Sequence, residues 1–221
     1  MERIDSKLLA GVDKDLRNRY SNRLKQFGYD PRTLGWDTKD NQYTRFKVAT
    51  NSIDMTNLDV LDVGCGLADF YTFLKEQEIN ISTYSGLDIN PELIDACKKL
   101  HHDVDNFMVS NILIDPPELD SCDVVTMFGV LNFKFTEFDN EDFARDMIAQ
   151  AYKTSRKAVV VDMLSLRHDS MYKKENFVHY YDPVKMLDFA LSLTPHVQLR
   201  HDYASIPQRE FLLILRKDQW K

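Results

Sequence analysis

The sequence predicts an α/β fold: a doubly wound, mostly parallel sheet, finished by an antiparallel C-terminal hairpin and covered by an N-terminal helical lid. Three observations lead there. From residue 58 onward, short runs rich in Val and Ile alternate with helical stretches about a dozen residues long, the texture of parallel βαβ units. The last 25 residues hold two apolar runs, 197–203 and 210–216, joined by a short Pro-containing turn, which read as a hairpin closing one sheet edge. Residues 1–57 are polar and lack this alternation, so they form a cap over the unit 58–221.

Within the cap, Leu8, Leu9, Val12, Leu16 and Tyr20 recur three and four apart, the spacing of one helix face. Gly and Pro residues break the chain between Phe27 and Asp40, and a second helix over 41–52 carries Tyr43, Phe46 and Val48. The expected parallel strands are 58–63, 83–88, 107–110, 122–128 and 158–164. Helices over 68–78, 91–100 and 140–155 connect them, the second opened by Pro91, whose missing N–H is harmless in a first turn. Sheets of this kind bind ligands beyond the carboxyl ends of their strands, so the residues just after each strand are the candidates.

Composition narrows the chemistry. The 221 residues are 43% apolar, enough for one packed core, and 28 Lys plus Arg against 35 Asp plus Glu leave a net charge of -7. Such a surface does not attract phosphate backbones or anionic lipid, so neither nucleic acid nor membrane is the expected partner. Cys65, Cys97 and Cys122 are too few and scattered for a disulfide framework or a zinc knot, and no metal is expected. The N-terminus lacks a signal-peptide apolar stretch and no run approaches the roughly 20 residues of a membrane helix, which points to a soluble cytoplasmic protein.

After the first strand comes Leu61-Asp62-Val63-Gly64-Cys65-Gly66-Leu67-Ala68-Asp69-Phe70, where two glycines let the backbone pass close to a ligand. Asp88 follows Gly66 by 22 residues at the end of the second strand, the place of a carboxylate that accepts hydrogen bonds from ribose hydroxyls. An adenosine ligand follows from the pair. Asp62 and Asp69 flank the turn, and Asp69 stands where a dinucleotide fingerprint has its third glycine. Like charges ~6 Å apart repel by about 3 kcal/mol at an effective dielectric of ~20, so a pyrophosphate is disfavoured and a cation favoured. S-adenosylmethionine (SAM), with a sulfonium and an ammonium group, meets that requirement, and a nicotinamide dehydrogenase becomes a remote alternative.

The stretches Val60-Leu61-Asp62-Val63-Gly64-Cys65-Gly66 and Gly86-Leu87-Asp88-Ile89-Asn90-Pro91 resemble the first two motifs of the class I SAM-dependent methyltransferases, a Rossmann-like superfamily, over roughly residues 58–164. The resemblance implies that the loop after the third strand, Ser110-Asn111-Ile112, holds adenine, with Asn111 in place of the commoner acid. It also implies that 127–133, with Phe128, Gly129 and Asn132, walls the methionine moiety and the acceptor. Residues 35–46 and the stretch His179-Tyr180-Tyr181-Asp182-Pro183 are similar to a bacterial branch of that family.

Other candidates carry two readings each. Arg45 clamps the methionine carboxylate or is a solvated lid residue. Trp36 covers the cofactor or packs the cap on the sheet. Tyr180 and Tyr181 build an acceptor pocket or belong to the core, and His179 is a general base or a surface histidine. The leading function is in-line methyl transfer to an O, N or C atom of a small molecule, by a monomer or homodimer working in biosynthesis. An alternative is cyclisation of SAM through attack of its own amine on Cγ, as in azetidine-2-carboxylic acid synthases of similar architecture, with Asn132, Tyr180 and Tyr181 shaping the closed pocket. A third is a SAM-binding module without turnover.

Overall fold

A computed structural model of the chain describes residues 4–167, 174–204 and 209–218. Seven strands form one sheet: β1 (Asp59–Val63), β2 (Thr83–Asp88), β3 (Asn106–Val109), β4 (Cys122–Met127), β5 (Ser155–Leu164), β6 (Val197–Arg200) and β7 (Glu210–Arg216), in the order β3-β2-β1-β4-β5-β7-β6. The first five run parallel, and β7 enters antiparallel between β5 and β6. The order reverses between β1 and β4, paired through Asp62 and Thr126, which makes their carboxyl ends the switch point. The expected hairpin turn crosses residues 205–208, outside the described residues, and β6 stops at Arg200, three residues short of the expected end.

Strand residues alternate between two apolar cores. Leu61, Val63, Val125, Val159 and Leu213 face one side; Val60, Val124, Ala158, Val160 and Leu212 face the other. The first core is covered by α1 (Ser6–Phe27), α5 (Asn140–Thr154) and α6 (Pro183–Leu193). The second is covered by α2 (Lys39–Ser52), α3 (Asp69–Glu76) and α4 (Pro91–Leu100). Helix α6 was not among the expected elements. Its start is written as clearly as that of α4: Asn90 caps α4 by accepting from Glu92 and Leu93 N–H before Pro91, and Asp182 caps α6 by accepting from Val184 N–H before Pro183.

The N-terminal segment is docked at both ends. Leu9 and Val12 of α1 enter the first core, and Tyr43, Phe46 and Ala49 of α2 enter the second. Asn90 Nδ2 donates to Arg17 O (3.0 Å) and Ser21 Oγ (3.1 Å), fixing α1 across the ends of β2 and β3. Between the two helices, a single 3-10 turn (Pro31–Leu34) carries the chain over the switch point.

Candidate functional site

The carboxyl ends of β1 to β4 and the overlying N-terminal segment enclose a cavity of about 140 Å³. The first strand and its loop contribute Asp62, Gly64, Cys65 and Gly66, and α3 adds Asp69 and Phe70. Asp88 and Ile89 follow β2, Ser110, Asn111 and Ile112 follow β3, and Phe128 and Gly129 follow β4. The N-terminal segment adds Asp13, Leu16 and Tyr20 from α1, Leu34 and Trp36 from the 3-10 turn and its exit, and Gln42 and Phe46 from α2.

The glycine loop is tied to the neighbouring strand, with Gly64 and Cys65 N–H both donating to Leu87 O (2.6 and 3.1 Å). Gly66 has a φ of +58°, and a Cβ built there would come within 2.7 Å of Leu34 Cδ1. Gly129, at φ +73°, stands the same way to Trp36, whose Cζ2 would lie 2.6 Å from an added Cβ. Leu34 and Trp36 thus rest directly on the two glycines.

The cavity's electrostatics are one-sided. Four aspartates line it, at positions 13, 62, 69 and 88, and no Lys, Arg or His does among the described residues. Burial pushes Asp62 up to about 7, against hydrogen bonds from Tyr84 Oη (2.7 Å) and Thr126 Oγ1 (2.9 Å). It pushes Asp88 to about 6, although Asn90 N–H (2.8 Å) and Gly66 N–H (3.0 Å) both donate to this carboxylate. Asp69, which accepts from Gln42 Nε2 at 2.8 Å, and Asp13 are raised for the same reason. The Cys65 thiol is pushed well above its ordinary value by its neighbour Cys97 and by burial, which leaves no thiolate nucleophile there. Among the described residues, no cluster of three or more His, Cys, Asp or Glu is placed to hold a metal, and no helix is long and apolar enough to cross a membrane.

Five expected site residues are placed elsewhere. Arg45 is fully buried, with Nη2 2.8 Å from Glu210, Nη1 3.5 Å from Asp162 and its guanidinium 3.6 Å from the Trp36 ring centre. It binds α2 to β5 and β7 and does not line the cavity, so both its readings, carboxylate clamp and solvated residue, are corrected. Asn132, His179, Tyr180 and Tyr181 also lie outside the lining, because residues 177–181 form a brace between the β4 loop and the end of β5. His179 N–H donates to Asn132 O (3.0 Å), Tyr181 N–H to Leu164 O (2.8 Å), and the buried Tyr181 hydroxyl to Leu131 O (2.9 Å). Tyr180 Oη accepts from Glu175 N–H (3.2 Å). Asn111 lines the cavity, but its amide is engaged: Nδ2 donates to both Asp13 oxygens (3.0 Å each), and Oδ1 accepts from Leu113 N–H (2.9 Å).

Sequence reasoning missed Asp13, Gln42, Leu34, and Phe143 and Met147 of α5, which extend the apolar wall begun by Val130 and Phe133 of the expected stretch 127–133. Asp13 had a readable signal, since it sits four residues after Leu9 and seven before Tyr20, on the helix stripe that is otherwise apolar.

Residues 61–159 match the methyltransferase domain family. No curated protein matches the chain by sequence. In fold the chain is similar to magnesium protoporphyrin IX methyltransferase from Synechocystis PCC 6803 with bound SAM, at a TM-score of 0.64 and 11% identity, covering 99% of this chain and 100% of that one. It is also similar to Haemonchus contortus phosphoethanolamine N-methyltransferase 1 in complex with phosphoethanolamine and S-adenosylhomocysteine (0.64, 13%, 99% of this chain and 51% of that one). A third likeness is to the small RNA methyltransferase HEN1 (0.63, 17%, 80% and 25%). With a cavity at the switch point of its seven-stranded sheet, the chain has the fold of these SAM-dependent methyltransferases, and its residues 61–159 match a methyltransferase domain.

Proposed function

We propose that the protein binds SAM in this cavity and transfers its methyl group to a small, largely apolar acceptor. The observation that carries the reading is the cavity's charge: four aspartates, three of them buried, line it, and no basic side chain does among the described residues. A phosphate-bearing nucleotide would add to that repulsion, whereas a ligand with a sulfonium and an ammonium group relieves it. The residues also fit the nucleoside. Asp88 is held by two backbone N–H groups, one of them from the cavity-lining Gly66, with acceptor capacity left for ribose hydroxyls.

SAM supplies an activated methyl group on a good leaving sulfur, and positioning carries most of the rate of such a displacement. Phe70, Phe46 and Phe128 form a packed aromatic wall, with ring centres 4.9 to 5.0 Å apart, that keeps water out and offers ring faces to a cation. Val130, Phe133, Phe143 and Met147 add an apolar side to the lining, which supports a small acceptor with an apolar body. The net charge of -7 and the narrow roofed cavity argue against a nucleic-acid chain as acceptor.

The residues assigned to a closed, cyclising pocket lie outside the cavity, Tyr180 and Tyr181 in the brace and Asn132 in the loop it holds, so that alternative loses its structural basis. The deciding experiment incubates purified protein with methyl-labelled SAM and fractionated small-molecule extract. Labelled product with stoichiometric S-adenosylhomocysteine is expected. Release of methylthioadenosine instead, or calorimetric binding of NAD with none of SAM, defeats the proposal.

A further inference from the structure

At the end of β3, the side chains that the sequence offers for reading a nucleobase are already engaged inside the protein. Ser110 Oγ donates to Asp115 O (3.0 Å), and Asn111 has Oδ1 on Leu113 N–H and Nδ2 on Asp13. The polar group left at this end of the cavity comes from the other side, from α1. Asp13 is 5% exposed and lines the cavity, and both its oxygens accept from the same Asn111 amide nitrogen. Each ionised oxygen keeps acceptor capacity beyond that bond, and the nearest cation, Arg17, stands 4.0 Å away. A buried carboxylate so placed favours a ligand that brings N–H donors. Along the same helix face, Leu16 and Tyr20 line the cavity, and Asn90 fixes the backbone at Arg17, so Asp13 is presented from a rigid support.

We propose that Asp13 is the base-reading residue of the cofactor site, accepting the exocyclic amine of adenine, and that Asn111 is a positioning residue that holds the carboxylate toward the base. The inference rests on SAM being the ligand and assigns the selectivity for adenine to the N-terminal helix rather than to the β3 loop.

The test compares calorimetric binding of S-adenosylhomocysteine with that of its 6-oxo analogue, S-inosylhomocysteine, which has a carbonyl in place of the amine. Wild type should prefer the amine by roughly tenfold or more, the cost of facing a carbonyl with a buried carboxylate. Asp13→Asn keeps an acceptor for Asn111 and presents an N–H₂ to the base, so the preference should fall to about parity or invert. Asp13→Ser, a second variant with no planar acceptor, should also lose the preference. Retention of the wild-type ratio in either folded variant, or equal loss of both affinities, overturns the assignment while leaving SAM binding intact. Failure of wild type to bind either compound overturns both the assignment and the reading beneath it.

Discussion

Two groups of buried carboxylates lie about the carboxyl ends of this sheet, and they are built on opposite plans. Asp162 and Glu210, on β5 and β7, enclose Arg45, which brings its positive charge from α2 and is backed by the Trp36 ring. Burial pushes Asp162 up and the Arg45 charge pulls it back. Asp62 and Asp88, in the cavity, are countered first by hydrogen bonds from hydroxyl and backbone groups and are left at about 7 and about 6. Burying a charge without an opposite one is costly, and a fold tolerates it where a partner arrives later. One cluster is therefore a structural joint, complete in itself, and the other, on the proposed reading, is the one a cationic ligand would complete.

The strongest way to break this contrast is to remove the internal cation. Arg45→Met leaves two fully buried carboxylates facing each other and should cost about 3 to 5 kcal/mol in urea unfolding; a loss under ~1 kcal/mol would mean that the pair is not a joint. Next in size is Asp88→Ala, which should weaken SAM binding by about 100-fold in calorimetry, as expected for two charge-assisted hydrogen bonds, while the circular dichroism spectrum stays native. An unchanged affinity would remove the ribose from this position.

The contrast also has a pH signature. Both cavity acids have folded-state values above the roughly 4 of an unfolded aspartate, so at these two positions the fold holds more protons than the unfolded chain. Their contribution to stability is full at low pH and is lost as pH rises through about 6 and about 7. A cationic ligand favours the ionised acids, so SAM affinity should increase over the same interval in which the apo melting temperature declines. Asp62→Asn should flatten the upper part of both curves; parallel rather than opposed curves would show that the acids and the ligand are not coupled. The smallest effect expected is for Gln42→Leu, which removes the amide donor to Asp69 and should weaken SAM binding about three- to tenfold.

The sheet was legible because its signals are local: apolar runs of strand length, glycine turns and Pro-opened helices. The strand-end residues of the cavity were legible for the same reason, since loop, acid and spacing lie within one βαβ unit. What escaped was long-range. Arg45 reads as an ordinary helix-surface arginine until β7 brings Glu210 to it, 165 positions away. Tyr181 sits among polar neighbours in sequence, yet its hydroxyl closes on Leu131, 50 residues back. Asn111 looks like a ligand contact until α1 lays Asp13 against it, a pairing 98 residues apart that no local pattern announces.

Leu34 and Trp36 lie against the bare faces of Gly66 and Gly129, where a bound nucleoside would come closest to the chain. A nucleoside that reached both glycines would have to displace these two side chains first. Association should then reach a plateau rate at high concentration instead of climbing in proportion to it, and the departure of the spent sulfur product would be governed by the same swing.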